Sequence, residues 1–182
     1  MDEEDFGRDE RLPYWAELWP SAIALARYLS HEDLAGKRVV ELGCGVGLPT
    51  VVALARGAEV LATDHYEAAL DFTLHNARTN LGRELETALI DWHVPDAQRL
   101  GSFDLVLAAD VLYEHRNAPA LADLAPGLLA PGGEALFADP RRKDAPLFLE
   151  MMEKREFENK TKEMMVEQGG REVRVLVHRL RR

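Results

Sequence analysis

A run of closely spaced glycines is the feature of this sequence most able to do chemistry. Glu41 opens the segment E-L-G-C-G-V-G, in which Gly43, Cys44, Gly45 and Gly47 follow a β-branched stretch and precede a helical pattern. Glycine lets a backbone turn tightly and approach a ligand closely, and the start of the next helix offers free N–H groups. We therefore predict a ligand-binding loop here, although a glycine-rich turn can also be purely structural.

An acidic residue favours a nucleoside as the ligand of this loop. Asp64 ends the next β-branched stretch, about 20 residues beyond Gly43, where a carboxylate can accept hydrogen bonds from ribose hydroxyls. The alternative role of Asp64 is to cap the following helix. The dinucleotide-binding pattern would place its third glycine at Leu48, whereas this sequence has it one residue earlier, at Gly47. A nicotinamide dehydrogenase is therefore disfavoured.

Alternating strand and helix patterns must position these residues. The predicted strands cover residues 38–42, 59–63, 87–90, 103–108 and 135–138. The predicted helices cover residues 48–55, 67–80, 118–129 and 146–154, and an earlier apolar helix begins at Ser21, which is expected to cap it. Pro131, Gly132 and Gly133 are expected to separate the helix over 118–129 from the strand that follows it. Strands that alternate with helices predict a parallel sheet.

The last part of the chain has a different pattern. Residues 162–167 and 172–178 are predicted strands joined at Gly169 and Gly170, which is typical of a β-hairpin. An antiparallel pair would therefore follow the parallel strands, all within one domain over residues 13–182. Residues 1–12 are strongly charged, and we expect them to form a mobile acidic segment.

Composition narrows the classes of partner. The 182 residues include 22 Lys and Arg against 32 Asp and Glu, a net charge of −10, which favours small molecules or basic proteins and disfavours nucleic acid. The single cysteine, Cys44, excludes an internal disulfide and a cysteine-based zinc site, and we expect no metal. The sequence shows neither a signal-peptide pattern nor a long uncharged apolar run, so we expect a cytoplasmic protein without a membrane span.

The pattern E-x-G-x-G-x-G resembles motif I of the class I S-adenosylmethionine-dependent methyltransferases. This resemblance implies an α/β fold with a doubly wound, mostly parallel, seven-stranded Rossmann-like sheet and a C-terminal antiparallel β-hairpin. It also implies S-adenosyl-L-methionine as the cofactor. The implied contacts place Gly43, Cys44, Gly45 and Gly47 on the methionine part with Glu41 beneath them, Asp64 on the ribose, and Asp91 with Trp92 around the adenine.

Two flanking segments resemble a narrower family. Residues 13–20, P-Y-W-A-E-L-W-P, and residues 110–113, D-V-L-Y, are similar to the seven-strand protein lysine methyltransferases called methyltransferase family 16. The P-Y-W-A opening and the D-P pair at residues 139–140 resemble the members that methylate the β-subunit of electron-transfer flavoprotein. The likeness covers residues 13–150.

This second resemblance implies further roles. Trp19 would border the cofactor, Ala109 would touch it, and Tyr113 would close over it. Asp110 would face the target amine and, with Tyr113, is a candidate catalytic residue. Aromatic faces attract cations, so the substrate side is expected to include Tyr14 and Trp15 as well as Asp110.

Other interpretations of these residues and of the activity stay open. Trp15, Trp19, Trp92 and Tyr113 could be ordinary packing aromatics, Asp110 could cap a turn, and Arg141–Lys143 is better explained as a solvated loop. The leading hypothesis is transfer of a methyl group to a protein lysine. The alternatives are a small-molecule N- or O-methyltransferase, a nucleic-acid methyltransferase, and a non-catalytic scaffold that binds S-adenosyl-L-methionine.

Overall fold

One mixed β-sheet runs through the protein. The computed structural model describes residues 14–94 and 100–182. The strands in these residues are β1 Arg38–Leu42, β2 Glu59–Asp64, β3 Glu86–Leu89, β4 Phe103–Ala109, β5 Leu129–Asp139, β6 Glu158–Gln168 and β7 Arg171–Arg181. They form one sheet in the order β3-β2-β1-β4-β5-β7-β6. The first five strands are parallel, and β7 is antiparallel to both β5 and β6.

Helices cover both faces of the sheet. Within the described residues they are α1 Pro20–Leu29, α2 Leu48–Ala55, α3 Glu67–Leu81, α4 Asn117–Leu128 and α5 Ala145–Glu153, and a 3₁₀ turn at Tyr14–Ala16 precedes α1. None of the described helices is long and apolar enough to cross a membrane.

The central strand β1 shows how the core divides into two layers. Successive side chains of a strand point to opposite faces of a sheet. Val39 packs with Leu25 of α1 and Leu54 of α2, whereas Val40 belongs to the layer that contains α4 and α5. Four of the five β1 residues are buried, as expected for a strand covered on both faces.

The predicted doubly wound sheet with a C-terminal hairpin is confirmed. Most predicted element bounds lie within one residue of the observed ones, and the exceptions are β5, β6 and β7. Both hairpin strands have 11 residues, several more than predicted. In β6 the residues added at its start, 158–161, are exposed and polar, so they show no alternation of apolar and polar residues. The prediction of a mobile acidic segment over residues 1–12 lies outside the described residues.

Strand β5 begins six residues earlier than predicted, at Leu129 instead of residue 135. Pro131, Gly132 and Gly133 therefore lie inside the strand, and the expectation that they separate it from the preceding helix is wrong. The pairing register shifts there, with Phe103 opposite Leu129 but Leu105 opposite Glu134. The proline and glycines thus form an irregular segment that bulges from the pairing without ending the strand.

The predicted cap of α1 is also wrong. Pro20 is the first helical residue and Trp19 is the N-cap, with no side-chain capping bond. Ser21 lies inside the helix and is fully buried, and its hydroxyl donates to Oδ2 of Asp110 at 3.4 Å. Proline at the first helical position already has the fixed φ that the helix needs, so no capping side chain is required.

Gly47 determines how closely α2 approaches α3. It precedes α2 with a φ of 78°, and an added Cβ would lie 2.5 Å from both Cγ2 and Oγ1 of Thr73. Thr73 is fully buried on α3, and its hydroxyl donates to the carbonyl oxygen of Gly45 at 2.9 Å. The threonine therefore cannot rotate away without losing that hydrogen bond.

We expect Gly47→Ala to lower the free energy of unfolding by about 2–4 kcal/mol, because it adds overpacking to left-handed strain. Gly82→Ala is a matched control, since Gly82 has a φ of 63° with nothing within 4 Å of an added Cβ. Strain alone should cost this control about 1–2 kcal/mol. Urea denaturation monitored by circular dichroism measures both losses. Equal losses would show that contact with Thr73 is not what requires glycine at residue 47.

Candidate active site

A cleft opens at the carboxyl edge of the parallel strands. The chain crosses to opposite sides after β1 and β4, and such a reversal of strand order leaves a crevice at this edge. The cleft has a volume of about 590 Å³, within the range of small-molecule sites. Of the predicted site residues, it is lined by Tyr14, Trp15, Trp19, Glu41, Gly43, Cys44, Gly45, Asp64, Asp91, Trp92, Ala109, Asp110 and Tyr113. Gly47 is the exception, because it faces Thr73 of α3.

The glycine loop is tied to the end of β2 through its backbone. The N–H groups of Gly43 and Cys44 both donate to the carbonyl oxygen of Thr63 at 2.9 Å. The N–H of Gly45 donates to Oδ2 of Asp64 at 3.0 Å. A Cβ on Gly43 would lie 2.9 Å from the ring of Trp92, and the φ of Gly43 is 74°. Glycine is therefore required where the loop passes the tryptophan.

Asp64 connects the loop to the start of α3. It is buried, and its Oδ1 accepts the backbone N–H of Tyr66 at 3.0 Å. Tyr66, and not Asp64, is the N-cap residue of α3. Burial raises the pKa of Asp64, and hydrogen bonds from the backbone of Gly45 and Tyr66 oppose that shift. Because each carboxylate oxygen can accept more than one hydrogen bond, Asp64 retains acceptor capacity toward the cleft.

Glu41 lies at the base of the cleft as a buried carboxyl group. The hydroxyl of Thr50 donates to its Oε2 at 2.5 Å. Burial raises the pKa of Glu41 to about 8, and the neighbouring charge of Asp64 contributes in the same direction. The group is therefore largely protonated at neutral pH, and a cationic group placed beside it would favour its ionisation.

Cys44 is a packing residue in this structure. Its thiol is buried and its Sγ accepts a hydrogen bond from the Thr73 hydroxyl at 3.4 Å. Burial and the nearby carboxyls of Glu41 and Asp64 raise the pKa of the thiol. A thiol held neutral in this way is a poor nucleophile.

The far end of the cleft combines an aromatic ring with a carboxylate. Trp92 packs against the core layer of α4 and α5, and its buried Nε1 has no hydrogen-bond partner in the described part of the chain. Asp91 is exposed, and its Oδ1 accepts the backbone N–H of His93 at 2.8 Å, which lowers its pKa. An apolar wall beside an unused donor and an acceptor suits a flat heteroaromatic ring.

Aromatic side chains surround the opposite side of the cleft. Nε1 of Trp19 donates to the carbonyl oxygen of Tyr14 at 2.9 Å. The Tyr14 ring lies 6.4 Å from that of Tyr113, centroid to centroid. The Trp15 ring packs on Phe72 of α3 at 6.1 Å. The 3₁₀ turn thereby lies over the glycine loop and narrows the cleft.

Asp110 forms the polar centre of this aromatic region. Its carboxylate is buried, and its Oδ1 accepts a hydrogen bond from Nε of Arg142 at 2.8 Å. Arg142 also lies over the Trp19 ring at 5.9 Å, and its backbone N–H donates to Oδ1 of Asp139 at 2.8 Å. The explanation of Arg141–Lys143 as a solvated loop is therefore wrong for Arg142, whose charge is paired inside the site.

Sequence reasoning missed several cleft residues. His65 and Tyr66 follow Asp64 directly, and Ile90 and His93 flank the pair at Asp91 and Trp92. Arg142 was missed as a partner of Asp110, although it follows β5 and strand ends of a parallel sheet meet at one edge. The rule that parallel strand ends meet at one edge, applied to the residues after β5, could have placed Arg142 near Asp110. Residues 14–94 and 100–182 contain no group of three or more His, Cys, Asp or Glu residues that could hold a metal ion.

Comparison with known proteins identifies the family of this chain. A family described as "Lysine methyltransferase" matches residues 9–155. Protein N-lysine methyltransferase METTL21A from Danio rerio is 39% identical over 119 residues, which are 62% of this chain and 54% of that protein. EEF1A lysine methyltransferase 3 from Mus musculus is 30% identical over 145 residues, which are 78% of this chain and 61% of that protein. The chain thus spans less than two thirds of the length of either relative.

A solved structure shows the same fold. The N-methyltransferase NodS from Bradyrhizobium japonicum, in complex with S-adenosyl-L-homocysteine, has a TM-score of 0.70 at 20% identity. The superposition covers 98% of this chain and 95% of NodS. At this identity the likeness concerns the architecture alone.

The raised pKa of Glu41 predicts how stability changes with pH. The folded protein favours the neutral carboxyl, so its contribution is fully present below the unfolded pKa of 4.5 and is lost as pH rises toward the folded pKa of about 8. Glu41→Gln cannot ionise. We expect its free energy of unfolding, relative to the unsubstituted protein, to rise by up to about 1.4 kcal/mol per pH unit across this window.

Urea unfolding of the ligand-free protein between pH 4.5 and 8.5 measures this difference. Glu59→Gln is the matched control, because it removes an exposed carboxylate on β2 and should show no comparable trend. A Glu41→Gln difference that stays constant with pH would mean that the buried carboxyl is ionised throughout.

Proposed function

This chain belongs to the lysine methyltransferase family, and we propose that it transfers a methyl group from S-adenosyl-L-methionine to the ε-amine of a protein lysine. The observation that carries the proposal is one cleft that joins the glycine loop and Asp64 to Asp110 and Tyr113. The first pair suits a nucleoside cofactor, and the second pair suits a cationic amine. A cytoplasmic location, expected from a composition with one cysteine, is part of this proposal.

The described residues fit this cofactor. Gly43, Cys44 and Gly45 would lie along its methionine part, and the buried carboxyl of Glu41 would meet its amino group. Asp64 would accept hydrogen bonds from the ribose hydroxyls. The adenine would lie against Trp92, with Asp91 beside it. When bound, S-adenosyl-L-methionine supplies an electrophilic methyl group on a sulfonium, so no metal or covalent nucleophile is needed.

The main catalytic contribution of the chain would be to place the amine in line with that methyl group. Holding two reactants in the reacting geometry contributes about 7–11 kcal/mol. The aromatic side of the cleft would exclude water around the amine, with Tyr14, Trp15 and Tyr113 providing faces that attract a cation. Asp110 lies among them and would orient the amine through a charge-assisted hydrogen bond.

The acceptor must lose a proton before it reacts. A free lysine has a pKa of about 10.4, so deprotonation at pH 7 costs roughly 4–5 kcal/mol. Desolvation among aromatic rings lowers the lysine pKa, whereas the charge of Asp110 raises it. The ion pair of Asp110 with Arg142 offsets part of that charge, and the released proton would leave through water.

A labelling experiment tests the proposed function. We expect radiolabelled S-adenosyl-L-methionine and the purified protein to label a protease-sensitive band in an extract of cells that lack its gene. Asp64→Ala should weaken cofactor binding about thirtyfold, because a charge-assisted hydrogen bond contributes about 2 kcal/mol, and it should therefore strongly reduce labelling at cofactor concentrations near the Kd of the unsubstituted protein. Asp71→Ala, which removes an exposed carboxylate on α3, is the control and should behave like the unsubstituted protein.

The fate of the label separates the alternatives. Label only in the small-molecule filtrate would favour a small-molecule methyltransferase, and nuclease-sensitive label would favour a nucleic-acid enzyme. Cofactor binding without any label would favour a scaffold. Each of these results contradicts the proposal of a protein lysine substrate.

Asp110→Asn tests the role of the central carboxylate. The substitution keeps the shape and the acceptor for Arg142 but removes the charge, so we expect kcat/KM for the protein substrate to fall about ten- to a hundredfold. Cofactor affinity should stay unchanged. Asp123→Asn is the control, since Asp123 forms an ion pair with Arg155 on an exposed surface. Full kcat/KM in Asp110→Asn would exclude this role for Asp110.

A further inference from the structure

A second cavity adjoins the cleft and has a different character. It is a groove of about 560 Å³ between the segment after β5 and the N-terminal part of α1. Trp19, Asp110 and Tyr113 line both the cleft and the groove. The two cavities therefore meet at the carboxylate that is proposed to hold the acceptor amine. A polypeptide whose lysine enters the cleft could continue along this groove.

Three consecutive cationic residues, Arg141, Arg142 and Lys143, line the groove. Arg142 is paired with Asp110, which is the one acidic residue among the described groove residues. Arg141 and Lys143 are exposed, and neither side chain has a hydrogen-bond or ion-pair partner within the described ranges. The groove therefore carries two uncompensated positive charges on a protein whose net charge is −10.

The segment that carries these charges is held in a defined conformation. Arg141 has a φ of 70°, in the left-handed region that residues with side chains rarely occupy. On its carboxyl side, Arg142 is anchored to Asp139 through its backbone and to Asp110 and Trp19 through its side chain. Strained conformations persist where the surroundings fix them, and they are common at binding sites. Arg141 and Lys143 are thus presented on either side of an anchored arginine.

We propose that this basic groove binds acidic residues that flank the acceptor lysine in the protein substrate. The inference rests on the proposed function and adds a sequence preference to it. Arg141 and Lys143 would each pair with an aspartate or glutamate side chain. Asp110 and the two cations line the same groove, and an extended peptide advances about 3.3 Å per residue, so we expect the acidic positions within a few residues of the lysine.

The charge pattern favours a peptide over a nucleic acid. A nucleic-acid strand is bound through an extended stripe of cations, with aromatic rings on which successive bases stack. Among the described groove residues, the unpaired positive charge is limited to Arg141 and Lys143, which flank Arg142, and the rings beside them, Trp19 and Tyr113, are shared with the cleft. A short acidic segment with two carboxylates matches the number of these cations.

Binding of synthetic peptides tests the proposal directly. The probes are two lysine-centred heptapeptides, one with aspartate or glutamate at the four outer positions and one with serine and glutamine there. Fluorescence anisotropy would measure their affinity with the cleft saturated by S-adenosyl-L-homocysteine. We expect the acidic peptide to bind the unsubstituted protein about tenfold more tightly, as two exposed ion pairs would allow.

A charge-matched pair of variants assigns that preference to the groove. R141Q/K143Q should bind both peptides equally, whereas K37Q/K160Q should keep the preference, because Lys37 and Lys160 are exposed outside the groove. Equal binding of the two peptides by the unsubstituted protein would overturn the proposal. A preference that survives in R141Q/K143Q, or stronger binding of a single-stranded RNA oligonucleotide at the same residues, would also overturn it.

Methylation kinetics separate this inference from the function on which it rests. With the substrate identified by labelling, R141Q/K143Q should raise KM about tenfold and leave kcat unchanged. An unchanged KM with normal labelling would contradict the proposed role of the groove in binding acidic residues. The lysine methyltransferase proposal would remain intact. The absence of any protein label from the unsubstituted enzyme would instead overturn the proposed function.

Discussion

The attachment of the glycine loop to the end of β2 is the interaction on which the rest of the cleft depends. One carbonyl oxygen, that of Thr63, accepts two N–H groups of the loop, and Asp64 accepts a third, that of Gly45. From the other side, the Thr73 hydroxyl donates to the Gly45 carbonyl and the Asn76 amide donates to the Val46 carbonyl. Buried backbone groups must find partners. Because the protein supplies these partners, the loop can keep its open conformation and present one face to a ligand.

This arrangement also explains how the cleft tolerates several carboxyl groups near one another. Burial raises the pKa of Glu41 to about 8 and also raises that of Asp64, while Arg142 compensates Asp110. The free cleft is therefore less anionic than a count of its acidic residues suggests. A ligand that carries both a sulfonium and an ammonium group would favour ionisation of the buried carboxyls. Cofactor binding and proton release would then be linked, and the affinity would increase with pH across the titration of Glu41.

Much of the fold could be predicted because its local signals agree with one another. The β-branched runs, glycines and apolar helix faces all indicate the same alternation, which places Asp64, Asp110 and the glycine loop at one edge. The failures have physical causes. Proline and glycine were expected to end an element, but the bulge between β4 and β5 accommodates Pro131 inside a strand. The paired residues Arg142 and Asp110 follow two different strands, so no local pattern indicates the pair, and only the rule that parallel strand ends meet at one edge could have done so.

The ion pair of Arg142 with Asp110 bears on the central difficulty of the proposed reaction, which is to methylate a lysine. A carboxylate alone would capture the ammonium strongly but would also keep it protonated, which prevents attack on the methyl group. Arg142 donates to Oδ1 of Asp110, and among the described residues Oδ2 has only the long hydrogen bond from Ser21 at 3.4 Å. One carboxylate oxygen thus remains able to orient an amine, while the guanidinium reduces the net attraction for its positive charge. The same arginine anchors the segment that presents Arg141 and Lys143 to the groove. Control of the acceptor proton and recognition of the sequence around the acceptor would therefore depend on one side chain.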